Sequence, residues 1–456
     1  MIACSHRQAR LRAGLVLLVT LTLAGGALAA PVGLQLTSVE KLAMLQVLGA
    51  DPLVEPGGPA TDAMLWDRVV RFGQRELGQR VQPSRLDPLW AMDPPQRDVE
   101  TELLVAHRED RISAWLQTLS PPNPQYAGLI LASRRYQALA RSGGWLPLPK
   151  GLVGRAGSSH AGILALRARL SLEGYDVPIS RSPEVFDAGL VSALKQFQGH
   201  HGLLVDGVVG PLTRAELDVP AETRVLQIEA NLERWRWMPR NLPADRVEVD
   251  IAGAEAVLFR GQVPIFQSRV VVGRPHDKTP MFVSRLNAIV LNPPWNVPTG
   301  IANTEILPKA AKDPKYLSEN DFIWVDGHLQ QKAGPKSALG LIKFDLVSPF
   351  GVYLHDTPLR EVFSKPSRAL SHGCMRVEKP LDLATLLLTP QGMTLASLQA
   401  AIDAKETLRI ALNTPTPLYV MYWTAVVDPG GQVSFRPDVY DWDRRLITAL
   451  ALGVSP

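Results

Sequence analysis

The chain has 456 residues, 46% of them hydrophobic and 20% charged, which is the composition of an ordinary globular protein. At roughly 150 residues per domain, this length favours about three domains. The 48 basic and 44 acidic residues nearly balance, and no basic stripe with interleaved aromatic residues is present. The composition therefore argues against nucleic acid as a ligand and against any other partner bound through net charge.

The N-terminus has the pattern of a secretory leader. Its charges are all basic, at Arg7, Arg10 and Arg12. A short apolar run at 15–23 follows, and Ala27-Leu28-Ala29 places small residues at a signal-peptidase site. The run is shorter than the roughly 18 residues that span a bilayer. We therefore expect a signal peptide at 1–29, cleaved near Ala29, and no stable membrane insertion.

Cysteine usage singles out one residue. Cys4 lies in the leader, which leaves Cys374 as the cysteine of the mature chain. An unpaired cysteine in an exported protein indicates intermolecular pairing or a reactive thiol, whereas a buried one can simply be a small hydrophobic residue. The residues around Cys374 decide between these interpretations.

Residues 30–146 are predicted to form a helical scaffold domain. Apolar residues recur there at spacings of three and four, with Pro/Asp-rich turns between the segments. The segments are Val39–Leu48, Ala63–Arg80, Val99–Thr118 and Tyr126–Ser142. His107 stands alone among them, so we predict no catalytic site in this domain.

A Gly/Pro/Ser-rich stretch at 147–161 is typical of a linker, and a compact unit at 162–219 follows it. Two helices, a glycine-punctuated loop and a third helix capped by Thr213 predict a three-helix module. The unit resembles bacterial peptidoglycan-binding domains, whose signature is FQxxxGLxxDGxxGxxT. The matching residues are Phe197, Gln198, Gly202, Leu203, Asp206, Gly207, Gly210 and Thr213. The resemblance implies the sacculus as a partner, and the alternative is a helical spacer without a ligand.

From about 224 the pattern changes to short strands. Apolar and β-branched runs with Gly/Pro turns predict a mainly antiparallel sandwich or barrel. The runs are Arg246–Ile251, Ala256–Phe259, Ser268–Val272, Ala288–Leu291, Gly351–Leu354 and Leu408–Leu412. A segment at about 299–339 with several prolines and lysines interrupts them. Insertions of this length in a compact domain are usually functional or disordered, and we interpret this one as a lid.

The candidate catalytic residues lie at a strand end and in a turn. His355 ends the run at 351–354, and Ser371-His372-Gly373-Cys374 begins sixteen positions later. A cysteine attacks carbonyls as its thiolate, so a histidine within hydrogen-bond reach is needed to lower the pKa of the thiol. His355 and His372 are the two candidates, and we favour His355 because a rigid sheet can aim it. The N–H groups at 372–374 would form an oxyanion hole.

This pattern, His355 followed by a 15-residue gap and Ser-His-Gly-Cys-x-Arg, resembles the signature of YkuD-type L,D-transpeptidase catalytic domains. The resemblance implies a β-sandwich in which Cys374 is the nucleophile and His355 the base. It also implies that the backbone carbonyl of Asp356 orients the imidazole, so that the carboxylate of Asp356 has no required role.

The remaining site residues also follow from the resemblance. Ser371, His372 and Gly373 would shape the turn, and Arg376 would hold a substrate carboxylate. Many family members have Asn at the position of Arg376; the Arg form is similar to large multidomain periplasmic members. Trp295 and Tyr353 would line the cleft or, equally, belong to the core.

The fold class that follows is α+β multidomain, with a helical scaffold, a three-helix peptidoglycan-binding module and a β-sandwich catalytic domain at 224–456 carrying the lid. The resemblance implies a periplasmic enzyme without metal or organic cofactor. It would form 3→3 cross-links between stem peptides through an acyl-enzyme, release D-alanine and be inhibited by carbapenems. The alternatives are an L,D-carboxypeptidase, an endopeptidase on the same stems, or a wall-binding protein without catalysis. Zinc is disfavoured because His372 and Cys374 are closer in sequence than usual ligand pairs.

Overall fold

The computed structural model describes residues 30–31, 33–50, 61–152 and 154–452. The predicted signal peptide at 1–29 lies outside these residues. Within them, no helix combines the length and the hydropathy needed to cross a bilayer.

Helices dominate the N-terminal part of the described chain. They are α1 (Ser38–Ala50), α2 (Asp62–Glu76), α3 (Pro83–Leu86), α4 (Val99–Arg108), α5 (Ile112–Leu116) and α6 (Pro124–Arg141), with a short strand β1 (Trp90–Ala91) after α3. Thr61 and Asp98 cap α2 and α4 by accepting hydrogen bonds from backbone N–H groups three residues on. The helical prediction is confirmed, but the helix predicted over 99–118 is divided in two. Asp110 has φ of 51°, a conformation through which a right-handed helix cannot continue.

The module contains α7 (Gly162–Leu172), α8 (Ala188–His200) and α9 (Pro211–Leu217). Its signature residues are bonded to one another. Nε2 of Gln198 donates to Oδ1 of Asp206 at 2.8 Å and to Oγ1 of Thr213 at 3.2 Å, and the N–H of Gly207 donates to Oε1 of Gln198 at 2.8 Å. The prediction that Thr213 caps α9 was wrong, since the N-cap is Gly210 and Thr213 lies inside the helix. The signature therefore holds the fold of the module together.

The described residues of the stretch at 147–161, which are 147–152 and 154–161, pack against the module. Leu148 and Leu152 are buried in the module's apolar cluster. The N–H of Leu148 donates to Oδ1 of Asp218 at 2.7 Å, and Ser159 forms a β-bridge with Val185. These residues contribute to the module's fold instead of serving as a free tether.

The C-terminal part begins with a long helix and then becomes rich in strands. The helices are α10 (Ala221–Trp237), α11 (Thr299–Ile301), α12 (Leu307–Lys312), α13 (Tyr316–Glu319), α14 (Pro380–Leu388), α15 (Leu395–Asp403) and α16 (Trp442–Leu452). The strands are β2 (Arg246–Asp250), β3 (Glu255–Arg260), β4 (Val263–Gly273), β5 (Met281–Leu291), β6 (Trp295–Asn296), β7 (Phe322–Val325), β8 (His328–Gln331), β9 (Ile342–Leu346), β10 (Leu354–His355), β11 (Ala369–Ser371), β12 (Met375–Val377), β13 (Leu408–Met421), β14 (Ala425–Val427) and β15 (Val433–Phe435).

The main sheet closes on itself. Its order is β5-β13-β2-β3-β4-β12-β10-β9, and β9 pairs back onto β5. Two neighbouring pairs, β13 with β2 and β10 with β12, are parallel, and the other pairs of this path are antiparallel. The predicted β-rich, mainly antiparallel catalytic fold is confirmed. The strand predicted at 351–354 is shorter, however, because only Leu354 and His355 pair with their neighbours.

Helices of the N-terminal part help to bury this sheet. Tyr126, Leu129 and Tyr136 of α6 lie in the same apolar cluster as the inward side chains of β2 and β13. Gln125 binds the backbone of Val427 twice, through Nε2 to the carbonyl at 2.6 Å and through Oε1 from the N–H at 2.9 Å. The scaffold and the catalytic sheet therefore share one core.

The inserted segment is folded. Strands β6, β8 and β7 form a three-stranded sheet in that order, and α11 to α13 pack on it around a small core. That core contains Val297, Ala302, Ile306, Phe322 and Leu329. The segment begins at Trp295, before the predicted 299, and the word lid is used below for 295–339.

Candidate active site

The turn that carries Cys374 is shaped by its own residues. Gly373 has φ of 105°, which other residues rarely adopt. Oγ of Ser371 donates to the carbonyl of Cys374 at 2.6 Å and accepts from the N–H of Gly373 at 3.1 Å. The N–H of Gly373 is therefore engaged, so an oxyanion hole would have to be built from the N–H groups of Cys374 and His372.

Two residues that the sequence analysis missed brace this turn from behind. Oγ1 of the buried Thr279 donates to the carbonyl of Gly373 at 2.8 Å and accepts from the N–H of Gly273 at 2.9 Å. Oη of Tyr440 accepts from the N–H of Thr279 at 3.1 Å and donates to the carbonyl of Gly273 at 2.5 Å. Both residues lie far from Cys374 in sequence, and no motif marks them.

The strand register brings the predicted nucleophile and base to one face of the sheet. In the parallel pair of β10 and β12, Leu354 lies opposite Met375 and His355 opposite Arg376. Leu354 and Met375 are fully buried in the core. Because side chains alternate along a strand, His355 and Arg376 lie on the other face, with Cys374 one residue before β12.

His355 is uncharged in this environment. Burial, followed by the positive charges of Arg376 and Lys343, lowers its pKa to about 3. The backbone groups of Asp356 and Leu339 act in the opposite direction, although Nδ1 has no hydrogen-bond partner of good geometry among the described residues. The imidazole is thus in its base form throughout the neutral range.

The thiol of Cys374 is also uncharged. Burial raises its pKa above the usual value, against the lowering effect of the Tyr353 backbone and hydroxyl and of the charges on Arg376 and Lys343. This differs from the expectation that a histidine lowers the pKa of the thiol. A buried, neutral His355 contributes no positive charge to the resting site, and the charges come from Arg376 and Lys343 instead.

Lys343 was not among the predicted site residues. It lies opposite His355 in the antiparallel pair of β9 and β10, and its Nζ lies 4.7 Å from the centre of the Tyr353 ring. It also pairs with Asp345 at 2.9 Å. Strand alternation would have placed it beside His355 only if the register of β9 had been known.

Tyr353 and Trp295 connect the thiol to the lid. Burial raises the pKa of the Tyr353 hydroxyl, which lies close enough to the thiol of Cys374 and to the indole of Trp295 for both to influence it. The ring of Tyr353 also contacts that of His355, with centres 5.7 Å apart. Tyr353 is therefore in contact with both predicted catalytic groups.

The side chains of Asp356 and His372 bind residues other than Cys374 and His355. The carboxylate of Asp356 accepts from the N–H of Leu341 at 2.9 Å and pairs with Arg360 at 2.9 Å. Nε2 of His372 lies 2.6 Å from Oε1 of Glu305 in the lid. The structure therefore gives His372 a partner outside the thiol, and His355 stays the better candidate for the base.

No metal-binding group of three or more His, Cys, Asp or Glu side chains occurs in the described part of the chain. Cys374 is a free thiol. The chemistry that the site can support is nucleophilic attack by sulfur, assisted by a neutral imidazole and by two cations on the same face of the sheet.

Three family models match separate parts of the chain. Residues 244–406 match the YkuD model, described as "L,D-transpeptidase catalytic domain". Residues 159–217 match a model described as "Putative peptidoglycan binding domain", and residues 33–132 match one described as "Scaffold domain". The order of the three matches along the chain is that of the predicted architecture.

One curated relative is similar over part of its length. A protein of Haemophilus influenzae named "Putative L,D-transpeptidase" is 35% identical over 219 residues. The match covers 43% of this chain and 44% of that relative, so less than half of each protein is compared.

Two solved structures are similar at low identity. An L,D-transpeptidase structure (residues 123–326) from Xylanimonas cellulosilytica is 17% identical, covers 60% of this chain and 98% of its own, and has a TM-score of 0.20. An L,D-transpeptidase from Stackebrandtia nassauensis is 12% identical, covers 59% and 94%, and has a TM-score of 0.23. These scores are too low to compare individual residues.

Proposed function

We propose that this chain acts on peptidoglycan stem peptides through a thioester on Cys374, because residues 244–406 match the YkuD model of L,D-transpeptidase catalytic domains. The observation that carries the proposal is the shared face of β10 and β12. On that face the neutral imidazole of His355 lies opposite the guanidinium of Arg376, with the thiol of Cys374 one residue before β12, and a thiol with a nearby base is what acyl transfer by cysteine requires.

The first half-reaction releases D-alanine. As Sγ of Cys374 attacks the carbonyl that joins the third stem residue to D-alanine, its proton passes to His355. The resulting oxyanion is stabilised by the N–H groups of Cys374 and His372. Collapse of the intermediate breaks the amide bond, His355 returns the proton to the departing amine, and the thioester remains.

The second half-reaction forms the cross-link. A side-chain amine on the third residue of a neighbouring stem attacks the thioester and gives its proton to His355. The sulfur leaves as a thiolate and recovers that proton, so the enzyme is regenerated with a 3→3 bond formed. Water in place of the amine would make the enzyme an L,D-carboxypeptidase, and attack on an existing link would make it an endopeptidase.

The cations on this face give the site a preference for anionic stems. Arg376 would pair with a carboxylate of the stem, with the ammonium of Lys343 nearby on β9. Burial and, after it, the charges of Arg376 and Lys343 lower the pKa of His355 to about 3; a bound carboxylate would offset these charges and so make the imidazole a stronger base.

Export to the periplasm and attachment of the module to the sacculus complete the proposal. The peptidoglycan-binding match at 159–217 supports them. The proposed ranges are a scaffold at 30–146, a module at 162–219 and a catalytic part at 224–456.

The test is mass spectrometry of the full mature chain after exposure to a carbapenem, which mimics the acyl donor. One adduct per chain is expected on Cys374, and none in Cys374→Ala. An adduct that persists in the alanine variant would refute Cys374 as the nucleophile.

A further inference from the structure

The lid contacts the nucleophile turn through a carboxylate–imidazole hydrogen bond. Oε1 of Glu305 lies 2.6 Å from Nε2 of His372, two residues before Cys374. Glu305 is part of a π-helical turn, Ala302–Ile306, between α11 and α12. Single π turns are rare and occur frequently at functional sites. This turn therefore places a carboxylate of the lid directly on the catalytic turn.

The guanidinium of Arg274 ties the same carboxylate to another part of the turn. Nη2 of Arg274 lies 3.4 Å from Oε1 of Glu305, and the backbone N–H of Arg274 donates to the carbonyl of Ser371 at 2.9 Å. Arg274 also pairs with Asp277 at 2.5 Å. Although burial acts to raise it, the pKa of Glu305 is lowered by its bonds to His372 and Arg274, so the carboxylate is ionised at neutral pH.

The lid has one more contact with the site, through Trp295. Trp295 lies on β6, the first strand of the lid, and its indole lies near the hydroxyl of Tyr353, whose pKa is also influenced by the thiol of Cys374. Glu305 and Trp295 belong to one folded unit with its own core. A movement of the lid would therefore change both contacts at once.

We propose that Glu305 is a positioning residue, which orients the turn 371–374 through His372 and makes the turn competent for acylation only while the lid is docked. The inference rests on the proposed function, because it assigns the regulation of that same site. It explains why a histidine stands beside the nucleophile without contacting the thiol. Through His372, the position of the lid would determine the orientation of the N–H groups that stabilise the oxyanion.

Two probes of the full chain separate positioning from access. Acylation by a carbapenem needs the oxyanion-stabilising turn, whereas alkylation of Cys374 by iodoacetamide needs only an accessible sulfur. In Glu305→Ala we expect the acylation rate constant at saturating carbapenem to fall about tenfold, the effect of losing one charge-assisted hydrogen bond in a partly exposed place. Alkylation at the same pH should be unchanged or faster.

Three further variants sharpen the test. Glu305→Asp keeps the charge and should restore part of the rate. Glu319→Gln, an exposed change on α13 of the same lid, should match wild type. His372→Asn combined with Glu305→Ala should be no slower than His372→Asn alone, since both changes remove one interaction.

The outcomes are distinct. Acylation equal to wild type in Glu305→Ala, acylation and alkylation falling together, or additive effects in the double variant would each overturn the inference. Absence of a Cys374 adduct in wild type would refute the proposed function instead. Hydrogen exchange would then decide the inference: faster exchange at 371–376 in Glu305→Ala than in Glu319→Gln would support it, and equal exchange would overturn it.

Discussion

Replacing Arg376 by glutamine should slow alkylation of Cys374 at neutral pH. Of the two positive charges that lower the pKa of this thiol, that of Arg376 has the larger effect, and Arg376 lies opposite His355 in the pair of β10 and β12. Two unit charges about 6 Å apart interact by about 3 kcal/mol at an effective dielectric constant of about 20. Because Arg376 is only partly buried, solvent screening reduces the thiolate stabilisation that the substitution removes to about 1.4 kcal/mol.

The sign of the change follows directly. Without the positive charge the thiolate is less favoured, so the pKa of Cys374 rises. Alkylation proceeds through the thiolate, so the loss of about 1.4 kcal/mol of thiolate stabilisation slows it about tenfold at a pH well below the pKa of the thiol. The pKa of His355 should also rise from about 3, but the imidazole stays neutral at pH 7.

The assay is a pH series of iodoacetamide alkylation, with Lys365→Gln as a control that removes an exposed cation. In wild type the logarithm of the rate should rise with a slope near one across the neutral range without a plateau, because burial raises the pKa of the thiol. Arg376→Gln should run parallel to and below this line. A rate equal to or above that of wild type would refute the electrostatic account of the site.

Two other predictions concern the scaffold and the module. Burial by itself raises the pKa of Glu76, but the charges of Arg236 and Arg75 lower it to about 2. The ionised carboxylate therefore stabilises the fold above the unfolded pKa of about 4.5, and this stabilisation is lost as the pH falls from 4.5 toward 2. Between pH 4.5 and 2 the free energy of unfolding of Glu76→Gln, measured by circular dichroism, should therefore fall by about 3 kcal/mol less than that of wild type. An equal fall in the two proteins would contradict this. On the module, Leu204 and Leu212 are 68% and 75% exposed. The double variant Leu204→Asp/Leu212→Asp should be retained less on isolated sacculi, while its free energy of unfolding stays within about 0.5 kcal/mol of wild type. Equal retention would indicate a spacer, and substitution is preferable to deletion of the module because His201 of the module packs against Phe435 of the catalytic part.

The sequence was sufficient for the parts of the site that are local in the chain. The turn at 371–374, in which Gly373 was expected for its shape, and the placement of His355 at a strand end both follow from neighbouring residues. The β-rich catalytic fold and the helical N-terminal region were predicted from periodicity for the same reason.

Contacts between distant segments were not predictable in this way. Thr279 and Tyr440 brace the turn from positions 94 residues before and 167 residues after the glycines that they bind. Lys343 reaches the site only through the register of β9, and Glu305 only through the folding of the lid. The neutral state of the thiol–imidazole pair depends on burial, which no local pattern indicates.

The central claim is that Cys374 transfers an acyl group from one stem peptide to another. The most direct measurement incubates the full chain with a disaccharide-tetrapeptide and follows enzyme and products by mass spectrometry. The account predicts a thioester on Cys374 that has lost one D-alanine, and then a dimer joined between two third residues, with neither species in Cys374→Ala. A dimer that forms without the thiol, or an intact wild type that leaves the tetrapeptide unchanged, would contradict it.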